Sequence, residues 1–184
     1  MRKTNVKKLV RMAILSAMGI VLMIWPRLPI IPAAPWLEYE MADVPILIGA
    51  FMYGPAAGFV ITLVVSAIQA FTVSAASGWV GFVMHVIATG TLVLVAGTIY
   101  KFIHSRKGAI IALIAGALSM TAIMVPTNLF FTVRFWGAPY DAVVASIVPV
   151  ILPFNLIKAG LNSIIVGLLY KPLSRFLKDH IVRG

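Results

Sequence analysis

The run Pro153-Phe154-Asn155-Leu156-Ile157-Lys158 puts an amide and an ammonium three residues apart inside an otherwise apolar stretch, 143–170. Residues three apart on a helix share a face, and Asn162 continues that face one turn later. A strip of amide, ammonium and amide can hydrogen-bond a polar solute. The stretch is long enough to cross a hydrocarbon core, since about 30 Å takes roughly 20 helical residues. A lysine at such depth costs about 2.5–3.5 kcal/mol on insertion scales. A ligand, a water-lined cavity or an ion path would offset that cost. The alternative is that Lys158 pairs with backbone carbonyls freed by Pro149 and Pro153 and only serves packing.

Asn128, in Pro126-Thr127-Asn128, offers a flexible amide beside a proline that leaves one helix carbonyl without its donor. It reads equally as a ligand contact and as an interhelical tie. His85 stands alone in an apolar segment and reads first as a packing residue. The loop Pro35-Trp36-Leu37-Glu38-Tyr39-Glu40 mixes aromatics with acids. Its aromatics suit interfacial anchoring, and its proline-stiffened length could cap a cavity from outside. Small residues four apart, Ala13 with Ala17 and Gly54 with Gly58, allow close helix approach within one chain or between chains.

Several chemistries are disfavoured. The chain has no cysteine, so disulfides, thiolate metal sites and thiol catalysis are excluded. No GxxxxGK[ST] phosphate loop is present, so the chain cannot drive its own transport with ATP. No His/Asp/Glu cluster has metal-ligand spacing, and no nucleophile has a base beside it, which argues against an enzyme. The acids read as loop residues rather than span residues, which disfavours an ion- or proton-coupled carrier.

These residues sit in 184 positions that are 61% hydrophobic and 11% charged. A soluble domain of this size cannot bury so much apolar surface, so the solvent is lipid. Six apolar stretches follow one another, at approximately 10–25, 44–53, 56–73, 79–100, 109–133 and 143–170. Together they predict an all-α integral membrane protein, 1–184 being one six-helix domain. The N-terminal segment reads as the first span, because no small-x-small cleavage site directly follows Trp25.

Basic residues cluster at Arg2, Lys3, Lys7, Lys8 and Arg11, at Lys101, Arg106 and Lys107, and at Lys171, Arg175, Lys178 and Arg183. Glu38, Glu40, Asp43 and Asp141 fall in the alternate loops. Six crossings with both termini cytoplasmic put every basic cluster inside. The net charge of +10 therefore reports topology and contact with anionic lipid headgroups, not nucleic acid.

The segment Leu37-Glu38-Tyr39-Glu40-Met41-Ala42-Asp43-Val44-Pro45, followed by Tyr53-Gly54-Pro55 and Gly58, resembles the S components of energy-coupling-factor vitamin transporters. Asn155-Leu156-Ile157-Lys158, with Pro126-Thr127-Asn128, resembles their riboflavin-specific branch most closely. The resemblance implies a six-helix subunit of the bacterial plasma membrane that captures one vitamin near the outer face. It further implies docking on a transmembrane coupling protein carrying two ATPases, with delivery by tipping over in the membrane. Riboflavin would be cargo, and no cofactor is implied. Carried over residue by residue, ligand contacts fall on Lys158, Asn155 and Asn128. Pocket closure falls on Trp36, Leu37 and Glu38, and docking on Ala13 and Ala17. An S component for pantothenate, thiamin or a deazapurine is the nearest alternative, and a non-transport membrane scaffold a more distant one.

Overall fold

The structure, a computed structural model, describes residues 6–181, with side chains described through Tyr170. Arg2 and Lys3, and the side chains of Lys171, Arg175, Lys178 and Arg183 on which the charge pattern partly rests, lie outside that description. The chain runs α1 (Val6–Ile24), β1 (Leu28–Pro29), β2 (Glu38–Tyr39), α2 (Asp43–Tyr53), α3 (Pro55–Phe71), α4 (Gly78–Phe102), α5 (Arg106–Trp136), α6 (Tyr140–Ser146) and α7 (Leu152–Ile181). A 3₁₀ turn, Ala75–Ser77, precedes α4, and a π turn, Ile147–Ile151, joins α6 to α7. Among the described residues the regular structure is helical apart from the two-residue ladder of β1 on β2.

Local chemistry sets the breaks. Gly54 adopts φ +92°, a value that glycine reaches without a Cβ penalty. Pro55 then opens α3, where its missing N–H costs nothing. Ser105 caps α5 by accepting the Gly108 N–H at 3.0 Å, and Gly137 ends that helix in the left-handed region. The π turn contains Pro149 and abuts Pro153; widened turns of this kind re-aim the helix that follows.

Helix α2 sits at the centre. It touches α1, α3, α4 and α7, and eight of its eleven residues are buried. A helix apolar all round belongs inside a bundle. Gly58 of α3 brings that helix against α2 and α4: a Cβ there would lie 2.6 Å from Ala50 Cβ and 2.5 Å from Val93 Cγ1. The outward faces are apolar too, with Val10, Ile14, Val21, Ile110, Ile114, Leu118 and Ile164 exposed. Water would penalise such a surface, and hydrocarbon does not. Three helical stretches, Ala75–Phe102, Arg106–Trp136 and Tyr140–Tyr170, are long and apolar enough to cross a membrane, and Asp43–Tyr53 and Pro55–Phe71 are shorter apolar helices.

Candidate ligand-binding site

The segment between α1 and α2 folds back over the helix ends. Leu28 pairs with Tyr39, and Pro29 with Glu38. Arg27 fastens the fold at both sides: its Nη2 lies 2.7 Å from Glu38 Oε2, and its Nη1 donates to the Val73 carbonyl at 3.1 Å. Beneath this loop lies a cavity of about 580 Å³, within the range that holds a small-molecule ligand. Trp36, Leu37 and Glu38 line it from the loop, Asn128 and Thr132 from α5, and Asn155 and Lys158 from α7. Met84, Ala88, Met120, Met124 and Phe154 supply apolar wall.

The six residues that the sequence resemblance assigns to the ligand thus lie around one cavity. Ala13 and Ala17 do not: they are exposed on α1. Asn128 and Asn155 behave alike. Each Nδ2 donates at 2.8 Å to the carbonyl four residues earlier, Met124 and Ile151 respectively. Asn128 Oδ1 accepts from Thr132 at 3.3 Å. Among the described residues both amides bond within their own helical segment.

The expectation for the acids is corrected here, and Lys158 gains a partner that the sequence does not name. The sequence places Glu40 and Asp43 in a loop outside the spans; Asp43 instead opens α2, and the two are buried, 1% and 0% exposed. For Lys158 it offers a ligand or freed carbonyls; Lys158 lines the cavity, and its Nζ donates to Glu40 Oε1 rather than to a backbone carbonyl. Glu40 Oε2 accepts the Ala42 N–H at 2.8 Å, which turns the carboxylate inward. Burial alone would push the Glu40 carboxyl up. The Lys158 ammonium, helped by His85, outweighs burial and holds it well below the usual carboxylate range. A buried charge is tolerated on these terms, paired and hydrogen-bonded.

A wider polar network extends from this pair. Asn162 Nδ2 donates to the Glu40 carbonyl at 3.2 Å and to Asp43 Oδ2 at 3.1 Å, and its Oδ1 accepts from Tyr39 at 3.0 Å. Thr89 donates to Asp43 Oδ1 at 2.8 Å. His85, expected as packing, has its Nδ1 2.7 Å from Ser66 Oγ and lines the cavity. Burial, and then the Glu40 and Asp43 carboxylates, push the Tyr39 hydroxyl up, so it stays a neutral donor. Sequence reasoning misses Glu40, Asp43, Ser66 and Thr89. One signal could find Glu40: a buried lysine demands a counter-charge, and the chain holds only five acids.

A loop-capped cavity, apolar in its walls and carrying amides and a compensated ammonium, defines a substrate-capturing membrane subunit. The chain belongs to the family described as "ECF transporter, substrate-specific component", which matches residues 7–170. It is a multi-pass membrane transport component, not an enzyme, and as such works with the module of an ECF transporter. It is similar to "Riboflavin transporter RibU" of Staphylococcus aureus (strain TCH60), with 33% identity over 186 residues covering 96% of this chain and 97% of that protein. It also resembles "Riboflavin transporter FmnP" of Bacillus subtilis (strain 168), at 29% identity over 187 residues and 95% and 96% coverage. Among solved structures, the protein of "Structure and mechanism of the S component of a bacterial ECF transporter" superposes with a TM-score of 0.81 at 32% identity, covering 95% of this chain and 99% of that one. The S-component for biotin from an ECF-type ABC transporter shares the fold, with a TM-score of 0.60 at 22% identity and coverage of 92% and 95%.

Proposed function

We propose that this chain is the riboflavin-binding substrate-specific component of an ATP-driven energy-coupling-factor importer in a bacterial plasma membrane. In this reading it crosses the membrane six times with both termini cytoplasmic. It captures the vitamin from outside in the cavity under the α1–α2 loop. It then delivers the vitamin by reorienting against a transmembrane coupling protein that carries two ATPases. Ala13 and Ala17 of α1 form the docking face.

The observation that carries the reading is the cavity itself, about 580 Å³, with Asn128, Asn155 and Lys158 facing it from two helices. Riboflavin has a flat, largely apolar tricyclic ring with carbonyls and ring nitrogens on its edge, plus a hydroxylated chain. Apolar walls with a few placed polar groups suit that shape, and the two amides offer donors and acceptors together. The relatives named as riboflavin transporters support the choice of vitamin.

The test is the absorbance and fluorescence of the detergent-solubilised protein before and after riboflavin is added. Yellow protein, or stoichiometric quenching of flavin fluorescence at nanomolar affinity, is the expected result. Colourless protein that leaves flavin fluorescence untouched would move the ligand to another vitamin.

A further inference from the structure

Among the described residues lining the cavity, Arg27 and Lys158 are the two that carry a permanent positive charge. Each is paired with a carboxylate of the same loop, Arg27 with Glu38 and Lys158 with Glu40. The pairs differ in burial: the Lys158 and Glu40 side chains are 8% and 2% exposed, those of Arg27 and Glu38 21% and 33%. Lys158 is deep, one helical turn from Asn155, and the buried apolar Met120 and Phe154 line the same cavity. The part-exposed Arg27 marks the mouth, where Gln69 from the last turn of α3 and Ser74 and Ser77 from the α3–α4 connection also line the cavity. A ligand with an apolar plate and a hydroxylated chain therefore fits plate inward and chain outward. Two buried polar atoms at the mouth, Arg27 Nε and Gln69 Oε1, have no partner within the protein. One donates and one accepts, which suits hydroxyl groups.

We infer that Glu38 is a specificity-determining residue: by masking the Arg27 guanidinium, it lets the mouth take the uncharged hydroxylated chain and turn away its phosphate monoester. The inference rests on the riboflavin reading above. A phosphate monoester carries about −1.5 to −2 charges at neutral pH, and a bare guanidinium binds it through paired, charge-assisted hydrogen bonds. Glu38 occupies the Nη2 edge that such a phosphate would need and sets a like charge beside it. The Val73 carbonyl holds Nη1 independently, so removing the carboxylate frees the guanidinium edge without releasing the arginine. Both side chains are part-exposed, 21% for Arg27 and 33% for Glu38, so salt screens the effect in part.

Wild-type protein and Glu38→Gln, titrated with riboflavin and with flavin mononucleotide by fluorescence quenching, separate the possibilities. Wild type is expected to prefer riboflavin. In Glu38→Gln the affinity for the mononucleotide relative to riboflavin should rise at least about tenfold, within the range of a charge-assisted hydrogen bond. High salt should shrink that gain, and adding Arg27→Gln should abolish it. Arg27→Gln alone, which leaves Glu38 unmasked, should move the ratio the opposite way and serves if Glu38→Gln does not fold. A pair that merely staples the β1–β2 ladder would weaken both ligands together and leave the ratio unchanged, which overturns the inference. Wild type that binds riboflavin and the mononucleotide equally also overturns it while sparing the riboflavin reading. Wild type that binds neither overturns both.

Discussion

The Lys158 ammonium of α7 donates to the Glu40 carboxylate of the α1–α2 loop, across 118 positions of the chain. The pair is nearly sealed, with the two side chains 8% and 2% exposed. It joins the loop that roofs the cavity to α7, whose Asn155 and Lys158 line the cavity wall.

Removing one partner of a buried pair leaves a charge with nothing to meet it, at about 3–5 kcal/mol. Glu40→Gln should therefore lower the thermal midpoint markedly, and Lys158→Met should do likewise. The double variant Glu40→Gln/Lys158→Met should recover much of the loss, because neither charge is left alone. Thermal unfolding of the four proteins in one detergent gives the coupling directly. Additive losses in the double variant would mean that the pair is not the source of the effect.

The same pair predicts opposite responses to acid. Glu40 lies below its ordinary value of 4.5 in the folded protein. Its ionised form therefore stabilises the fold above that pH, and the contribution is lost only as pH falls through the depressed value. From pH 8 to pH 5 the wild-type pair contributes a constant amount. In Lys158→Met the largest lowering influence is gone and burial pushes the Glu40 carboxyl up. Acid then protonates it within the fold, and stability is gained as pH falls through the raised value. The gap in midpoint between Lys158→Met and wild type should narrow between pH 8 and pH 5. A gap that stays constant would show that Glu40 does not titrate in that window.

How much of this is legible in the sequence depends on the length scale of the signal. Apolar runs broken by Tyr53-Gly54-Pro55 and by Lys101 to Lys107 announce helices, because hydropathy and turn chemistry are local properties of sequence. Asn128, Asn155 and Lys158 stand out because polar groups are rare in such runs. Glu40 and Asp43 do not, since an acid beside prolines and aromatics looks solvated until the loop is folded back. Their burial follows from long-range contacts, Glu40 with Lys158 and Asp43 with Thr89 and Asn162, which no local pattern encodes. The same holds for His85, whose partner Ser66 comes from the neighbouring helix. One consequence is that Lys158→Met is a poorer probe of ligand binding than the sequence suggests, because it also strands Glu40.

Glycine positions separate close approach from mere backbone freedom. Gly58→Ala would force a Cβ against Ala50 and Val93 in a packed core, where overpacking costs about 1–3 kcal/mol. For a chain of this size that is roughly 2–12 °C in midpoint. Gly160 lies within α7, and a methyl added there would meet nothing inside 4 Å, so Gly160→Ala should stabilise by about 0.5–1 kcal/mol through helix propensity. Thermal unfolding of both variants checks the contrast. Equal effects would mean that the α2–α3–α4 contact can yield.

Ala13 and Ala17 supply the last test. Helical spacing puts them on one stripe of α1 with Val10, Ile14 and Val21, all exposed, while Leu15, Ser16, Gly19 and Met23 turn inward. Two alanines among larger side chains leave a shallow flat in that stripe, where a partner helix can come close. Neither residue lines the cavity. Ala13→Trp and Ala17→Trp should therefore keep flavin binding and thermal midpoint near wild type, while uptake in vesicles carrying the coupling protein and both ATPases falls at least about tenfold, in line with a loss of about 1.4 kcal/mol or more of docking energy. Uptake that persists in both variants would place the docking face elsewhere on the bundle. Binding lost along with uptake would instead make α1 part of the frame that holds the cavity, since α1 packs directly on α2 and α3.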